Sequence, residues 1–271
     1  MTQPHDLSNI ALGILAWRTP STLENTLRSY QQVGLLQSVG SVCVFLNEAT
    51  AADIRIANEF ELKFIASESN LGIGPALTQL VHAAEAPYFM FLEGDWLCVE
   101  PSESVEARLN VGMRLIHDGE ADAVRFRHRT RHGEPLHSKI AHQSGDFPNY
   151  RDFLLDSVHW LDHPEQTHPE VSLRFIETEE WYFATSRYSN YTNNPCLYDT
   201  EFLSREILPR AYRDGIHLEV DLHEWWKKEE FIVAQGTGLF EHHPLEKSGA
   251  GYSASNVIKR RIRNLLNRPN F

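Results

Sequence analysis

A chain of 271 residues with 37 acidic and 25 basic side chains, net charge −12 with histidine neutral, lacks the basic face of a general nucleic-acid binder. Its composition, 42% hydrophobic and 23% charged, suits one large globular domain. Three scattered cysteines, Cys43, Cys98 and Cys196, exclude a disulfide framework and a thiolate zinc site, and no segment reads as a signal peptide or membrane span, so a cytoplasmic setting is expected.

The first hundred residues alternate strand and helix signals. "NIALGILAW" (9–17) reads as a buried strand, and "TPSTLENTLRSYQQVG" as a helix with Thr19 or Ser21 near its cap and Pro20 in its first turn. "SVCVFLN" (41–47) is a second strand, with Cys43 in the core, and "AADIRIANEF" a short helix. "LKFIASES" (62–69), "GIGPALTQLVHAAEA" and "YFMFLEGD" supply a third strand, a second long helix and a fourth strand. This alternation predicts an α/β fold with right-handed crossovers and a mostly parallel sheet. Ligands of such sheets sit beyond the carboxyl ends of the strands. The polar residues at those ends are Trp17-Arg18, Asn47-Glu48, Ser69-Asn70 and Glu93-Asp95.

Beyond residue 101 the pattern predicts a helix, "ESVEARLNVGMRLIHDG", and a strand, "ADAVRFRHR" (121–129). Residues 130 to 170 read as loops with short helices, too rich in Phe, Leu and Trp for a disordered linker. A strand "EEWYFATS", the segment "NYTNNPCLYDTEFLSREILP", a helix near 221–230 and a strand "FIVAQGTGLFEH" follow.

Chemistry concentrates at a few of these boundaries. Glu93-Gly94-Asp95 ends a buried strand on two carboxylates, an unfavourable juxtaposition that water, a proton or a cation must relieve. Taken alone, the pair reads first as an acidic strand cap in a solvated turn, since acidic residues are common in turns. In "NLGIGPAL", Asn70, Gly72 and Gly74 mark a strand-to-helix turn whose backbone N–H groups can face a phosphate or simply make the connection. Trp17 is either a stacking surface or core packing.

Three of these pieces, in order and at their separations, resemble the GT-A glycosyltransferases, glycosyltransferase family 2 above all. They are "ILAWRTPSTLENTLRSY", "SNLGIGPALTQLVHAAEAPYFMFLEGDW" and "LEVDLHEWWKKEEFIVAQGTGLFEHH". The resemblance implies a single GT-A domain over 1–271, with a nucleotide-sugar half (1–101), an acceptor half (102–256) and a basic C-terminal helix (257–271). It implies a metal-dependent transfer of a sugar from a nucleoside diphosphate donor, a UDP-sugar favoured, to a hydroxyl of a glycan or other acceptor, with inversion. Donor-site residues are then Ala16, Trp17, Arg18, Asn47, Asn70, Gly72, Glu93, Gly94 and Asp95. Mn2+ or Mg2+ is held by Asp95 with Glu93 and a histidine ending the last strand, His242 rather than His243. Glu stands where the family's motif begins with Asp, so the resemblance leaves Glu93 between a direct contact and one through water or ribose. By the same likeness Glu219, two residues before Asp221, is the base that takes the acceptor proton, with Asp221 and Glu224 behind it. An acidic first turn complementing the helix dipole explains the same residues. Asn193, Asn194, Trp225 and Trp226 are acceptor-site candidates, one of the adjacent tryptophans being core because neighbours on a helix cannot share a face.

A retaining enzyme of the same fold is the nearest rival. A sugar nucleotidyltransferase and a non-catalytic carbohydrate-binding protein are further ones, although "AWRTPSTLEN" lacks the former's glycine-rich loop. The histidines at 128, 132, 137, 142, 159, 163 and 168 have no zinc-motif spacing and read as loop or surface residues. "VIKRRIRNLLNRPNF" forms an apolar stripe with a basic opposite face, suited to docking on its own domain or a partner subunit, or to peripheral contact with an anionic membrane.

Overall fold

A computed structural model describes residues 6–133, 161–211 and 218–246. The strand β1 (Ile10–Ala16) is buried along its whole length, which demands apolar cover on both faces. Ile10, Leu12, Ile14 and Ala16 face one core, and Ala11 and Leu15 face the other, as the two-residue period of a strand requires. The chain continues through α1 (Pro20–Gln32), α2 (Leu35–Ser38), β2 (Ser41–Leu46), α3 (Ala51–Glu59), β3 (Lys63–Ala66), α4 (Ile73–His82), β4 (Tyr88–Glu93) and β5 (Trp96–Cys98). Then come α5 (Ser102–His117), β6 (Ala123–Arg127), α6 (Pro164–Thr167), the strands β7 (Ser172–Ile176), β8 (Glu179–Thr185) and β9 (Cys196–Asp199). A helical run in three pieces follows, Thr200–Phe202, the π-turn Leu203–Ile207 and Leu208–Ala211, taken together as α7, and then α8 (Leu218–Glu229) and β10 (Ile232–His242).

One sheet carries the order β3-β2-β1-β4-β9-β6-β10-β8-β7, with β5 paired to β10. As the alternation predicts, most strands point one way: β3, β2, β1, β4, β6, β10 and β7. β5, β8 and β9 run against them. Three strands escaped the sequence reading. β5 and β9 have three and four residues, too few for a period to show. β7 is an edge strand with mostly exposed residues, so it carries no apolar alternation.

Helices cover both faces. α1, α3 and α5 bring Leu23, Leu27, Tyr30, Ile56, Val105 and Leu109 to one core. α4, α7 and α8 bring Leu77, Leu80, Phe202, Leu203, Leu222 and Trp226 to the other. Each such fully buried side chain is worth about 1.5–3 kcal/mol over exposure.

The path of β10 shapes the end of the sheet. Its first half pairs with β6 and β8, its last residues with β5, and its register against β6 shifts between Gln235 and Phe240. Gly238 sits in that irregularity at φ 85°, where a Cβ would lie 2.3 Å from the carbonyl oxygen of Arg127. Neither the left-handed backbone nor the space admits a side chain. Gly119, past the end of α5, also has a positive φ (69°), but a Cβ there meets nothing within 4 Å. Gly119→Ala should therefore cost about 1 kcal/mol, and Gly238→Ala about 3 kcal/mol from strain plus collision. Urea unfolding of the two variants reads the difference, and equal costs would refute this account of the bulge.

Candidate functional site

The parallel strands end on one rim, and the acidic turn after β4 lies at its centre. Gly94 N–H donates to the Leu15 carbonyl at 2.8 Å, and Thr26 Oγ1 of α1 donates to the Gly94 carbonyl at 2.8 Å. The turn is thus clamped between the end of β1 and the first helix. A Cβ on Gly94 would lie 3.3 Å from that of Ala16, so a side chain here would press on the end of β1. Burial, then the charge of Asp95, then that of Glu219, holds the Glu93 carboxyl well above the usual carboxylate range.

Asp95 meets β10. Its Oδ2 lies 2.9 Å from Nε2 of His242, and its carbonyl accepts from the His243 N–H at 2.7 Å. The pairing is set by strand register, because His242 stands opposite Trp96 in the antiparallel β5–β10 ladder, with their rings 4.9 Å apart. The other carboxylate oxygen, Oδ1, is buried and makes no hydrogen bond. His243 points elsewhere, toward Glu241 at 3.9 Å.

The expected three-residue cation cluster is not assembled: among the described residues no group of three or more His, Cys, Asp or Glu side chains is gathered to hold a metal ion. Asp95 and His242 do touch. A carboxylate with an orphaned buried oxygen beside an imidazole is nonetheless a donor set that suits a divalent cation, Mn2+ in particular.

After β1, Trp17 is half-buried, and its Nε1 donates to Glu48 Oε2 at 3.0 Å. Arg18, exposed, reaches Glu48 Oε1 at 3.2 Å. Arg18 and Glu48 both adopt positive φ, 52° and 53°, the kind of backbone strain that gathers at ligand sites. Glu48 was not among the predicted contacts; its signal was its place immediately after Asn47 at a strand end.

Two donor-site expectations need correction. Asn47 is 3% exposed and its amide is used internally. Its Oδ1 accepts from Leu71 N–H (2.8 Å) and Ser67 Oγ (3.2 Å), and its Nδ2 donates to Asn70 Oδ1 (2.9 Å). Asn47 therefore fixes the loop that leads into α4 and has no face for a ligand. Ala16, 3% exposed, is a wall behind the site, its carbonyl accepting from Asn47 N–H. Asn70 joins the same network, its Oδ1 also accepting from Gly72 N–H at 2.8 Å. Gly72 precedes α4 at φ 82°, ψ 175°, a conformation open to glycine alone, and no side chain caps that helix.

The other end of the rim is built by α8 and the turn before β9. Oε1 of Glu219 accepts from Thr192 Oγ1 at 3.0 Å and from Asn193 N–H at 2.9 Å. Glu219 is thus fastened to the turn at Thr192–Asn193 and near enough to Glu93 to bear on its charge. Asp221 and Glu224, by contrast, are exposed. Asn193 is 5% exposed with its Oδ1 unpartnered. Asn194 Oδ1 lies 3.5 Å from the Arg127 guanidinium, which covers the face of Trp96. Thr192 and Arg127 were missed. The signal for Thr192 was the polar turn "TNNP"; Arg127 was hidden because a buried arginine inside a strand looks like alternation.

Trp226 is 1% exposed and donates Nε1–H to the Ser189 carbonyl at 2.7 Å, so it is the core member of its pair and cannot touch an acceptor. Trp225 packs on Phe231 under the Arg210 guanidinium, 4.1 Å from its ring centre, so this ring too takes part in packing. His128 and His168 are buried, not loop-surface residues, and His128 Nε2 meets Glu100 at 2.9 Å. The histidines at 137, 142 and 159 and the segment 257–271 lie outside the described residues. Among the described residues no helix is long and apolar enough to cross a membrane.

The raised affinity of Glu93 for its proton has a consequence for stability. Unfolded, the group ionises near pH 4.3; folded, it holds its proton to higher pH, so the native state binds more protons in that window and loses stability as pH rises through it. In chelator-containing buffer, Glu93→Gln should match the wild type near pH 4 and exceed it at neutral pH, each tenfold difference in proton affinity being worth about 1.4 kcal/mol. Chemical unfolding at both pH values measures this, and parallel pH dependences would contradict the burial argument.

No protein-family model matches the sequence, and no curated protein is detectably similar to it. Solved structures are similar in fold. One is Staphylococcus aureus TarS 1-349, at a TM-score of 0.55 and 11% identity over 97% of this chain and 66% of that one. A second is the mannosyltransferase PcManGT of Pyrobaculum calidifontis with GDP-Man and Mn2+, at 0.52 and 12% over 95% and 62%. A third is glucosyl-3-phosphoglycerate synthase of Mycobacterium tuberculosis with Mn2+, UDP-glucose and phosphoglyceric acid, at 0.50 and 17% over 92% and 76%. The chain thus spans slightly less than two thirds of the first two. The chain shares with them the GT-A fold, a large, mostly parallel sheet flanked by helices.

Proposed function

We propose that this chain is a metal-dependent glycosyltransferase that moves a sugar from a nucleoside diphosphate donor to an acceptor hydroxyl with inversion at the anomeric carbon. The observation that carries this reading is the contact of Asp95, in the β4–β5 turn, with His242 at the end of β10, on a rim where the charges of Asp95 and of Glu219 from α8 both bear on Glu93. A strand-capping role asks nothing of α8 or β10. The ligands of the similar structures, UDP-GlcNAc, UDP-glucose and GDP-Man, favour a nucleotide-sugar donor, and UDP among the nucleotides.

In this reading Asp95 and His242 hold a divalent cation, with Glu93 behind them. A bound cation neutralises charge on the diphosphate as it leaves. Trp17 offers its half-exposed ring to the base and Glu48 its carboxylate to base or ribose. Glu219 is the general base. Thr192 and Asn193 N–H hold its Oε1, fixing the carboxylate's plane, so Oε2 is the oxygen that accepts the proton. The acceptor oxygen then bonds to the anomeric carbon as the bond from that carbon to the diphosphate breaks, and the nucleoside diphosphate departs. The acceptor is a hydroxyl compound, either a glycan or a small polyol acid, held by the Asn193–Asn194 turn. The activity belongs to a cytoplasmic or membrane-peripheral setting.

A thermal-shift screen of nucleotide sugars with Mn2+ tests the donor assignment. A true donor at a hundred times its Kd stabilises the fold by about 2.7 kcal/mol, and a flat response to every nucleotide sugar would end the proposal. Glu219→Gln should lower kcat by roughly 10²–10⁴ while leaving donor affinity unchanged. Wild-type turnover in that variant would remove Glu219 from the mechanism, and NMR of the product anomer decides between inversion and retention.

A further inference from the structure

The N-terminus of α1 is capped from the opposite end of the described chain. Thr19, at the N-cap, makes no side-chain hydrogen bond, and Pro20 occupies the first helical position. The N–H groups of Ser21 and Thr22, which a local cap would receive, donate instead to Oε2 of Glu246 at 3.0 and 3.2 Å. The exchange is reciprocal: Thr22 Oγ1 accepts from the N–H groups of Leu245 and Glu246 at 3.1 and 3.0 Å. It has the logic of a capping box whose two halves lie 224 residues apart.

The segment so fastened is the continuation of β10. His242 rests on Asp95, His243 N–H donates to the Asp95 carbonyl, and the next three residues cross to the start of α1. Both ends of this strap are therefore pinned, one on the acidic tip and one on α1, beside the Trp17–Arg18 link. A carboxylate is the group that a helix N-terminus holds best, and a side chain from residue 246 reaches it only while the strap lies closed.

We propose that Glu246 is a positioning residue: as a cap for α1 supplied from beyond β10, it locks residues 243–246 across the rim and keeps His242 on Asp95. The consequence for cation and donor binding rests on the glycosyltransferase reading; the lock itself does not. The test uses the full chain and the variants Glu246→Ala, Glu246→Gln and Thr22→Val, with Gly119→Ala as a control destabilised far from the strap. Amide hydrogen exchange reads the lock directly. Glu246→Ala and Thr22→Val should each speed exchange at His243 and Leu245 by about tenfold, the double variant should add little, and Gln, which keeps an accepting oxygen, should restore much of the protection. The control should leave those amides as they are. Protection at His243 unchanged in Glu246→Ala would overturn the proposal, as would equal loss in the control. Titration with Mn2+ and UDP, followed by the Mn2+ EPR signal, reads the consequence, and Glu246→Ala should weaken binding by about tenfold. Wild-type protein that binds neither, while the exchange pattern holds, would remove the donor reading and leave the strap standing.

Discussion

The contact between Asp95 and His242, side chains 147 residues apart in sequence and 2.9 Å apart in space, is the constraint around which the rim is organised. Neither residue reaches the other by local structure. Asp95 is delivered by the parallel β1–β4 pair and a glycine turn packed on α1. His242 is delivered by an eleven-residue strand that must pair with β6 and β8 at its start and with β5 at its end. A strand that changes partners needs an irregularity, and the Gly238 bulge supplies it.

A buried ionic group braces that bulge. The Arg108 guanidinium donates to the Gly238 carbonyl at 2.8 Å and pairs with Glu100 at 2.8 Å and Glu179 at 2.9 Å. Burial opposes ionisation of Glu100, but the His128 hydrogen bond and Arg108 outweigh it and hold its carboxyl below the ordinary range. His128 itself is kept toward neutrality, chiefly by burial. Removing one partner from such a group costs about 3–5 kcal/mol, because a charge is left buried and unmatched. The network grips the strand at Gly238, ahead of His242, and uses none of the carboxylates of the acidic tip. Glu246 holds the strand's continuation at the other end, and His242 lies between the two.

The α8 side of the rim follows a similar logic with neutral groups. Glu219 belongs to the first turn of α8, where a carboxylate is favoured by the helix dipole alone. What separates it from Asp221 and Glu224 is the company of Thr192 and Asn193, which engage one oxygen and bring the charge close to Glu93. Three carboxylates on one rim repel one another. The protein eases this by placing Glu93 where desolvation raises its affinity for a proton and by setting an imidazole on Asp95.

The sequence by itself determined the strands and helices of the first hundred residues up to β4, and with them the rim. Apolar runs at 10–16, 41–46 and 88–93 could only be buried strands, and their spacing required helices between them, so the polar residues following each strand had to share an edge. That put Asp95, Trp17 and Arg18 on the rim, and strand alternation let only one histidine of the pair at 242–243 face it, without saying which. Tertiary structure decided what those residues touch. Asn47 reads as a ligand contact until Leu71, Ser67 and Asn70 are seen to use its amide, and Trp226 reads as a sugar platform until the core closes on it. The cap on α1, the bulge at Gly238 and the company that sets Glu219 apart from its acidic neighbours were illegible for one reason. Local patterns report which face of an element is apolar, whereas a hydrogen bond between groups far apart in the chain exists only once the sheet has fixed their separation.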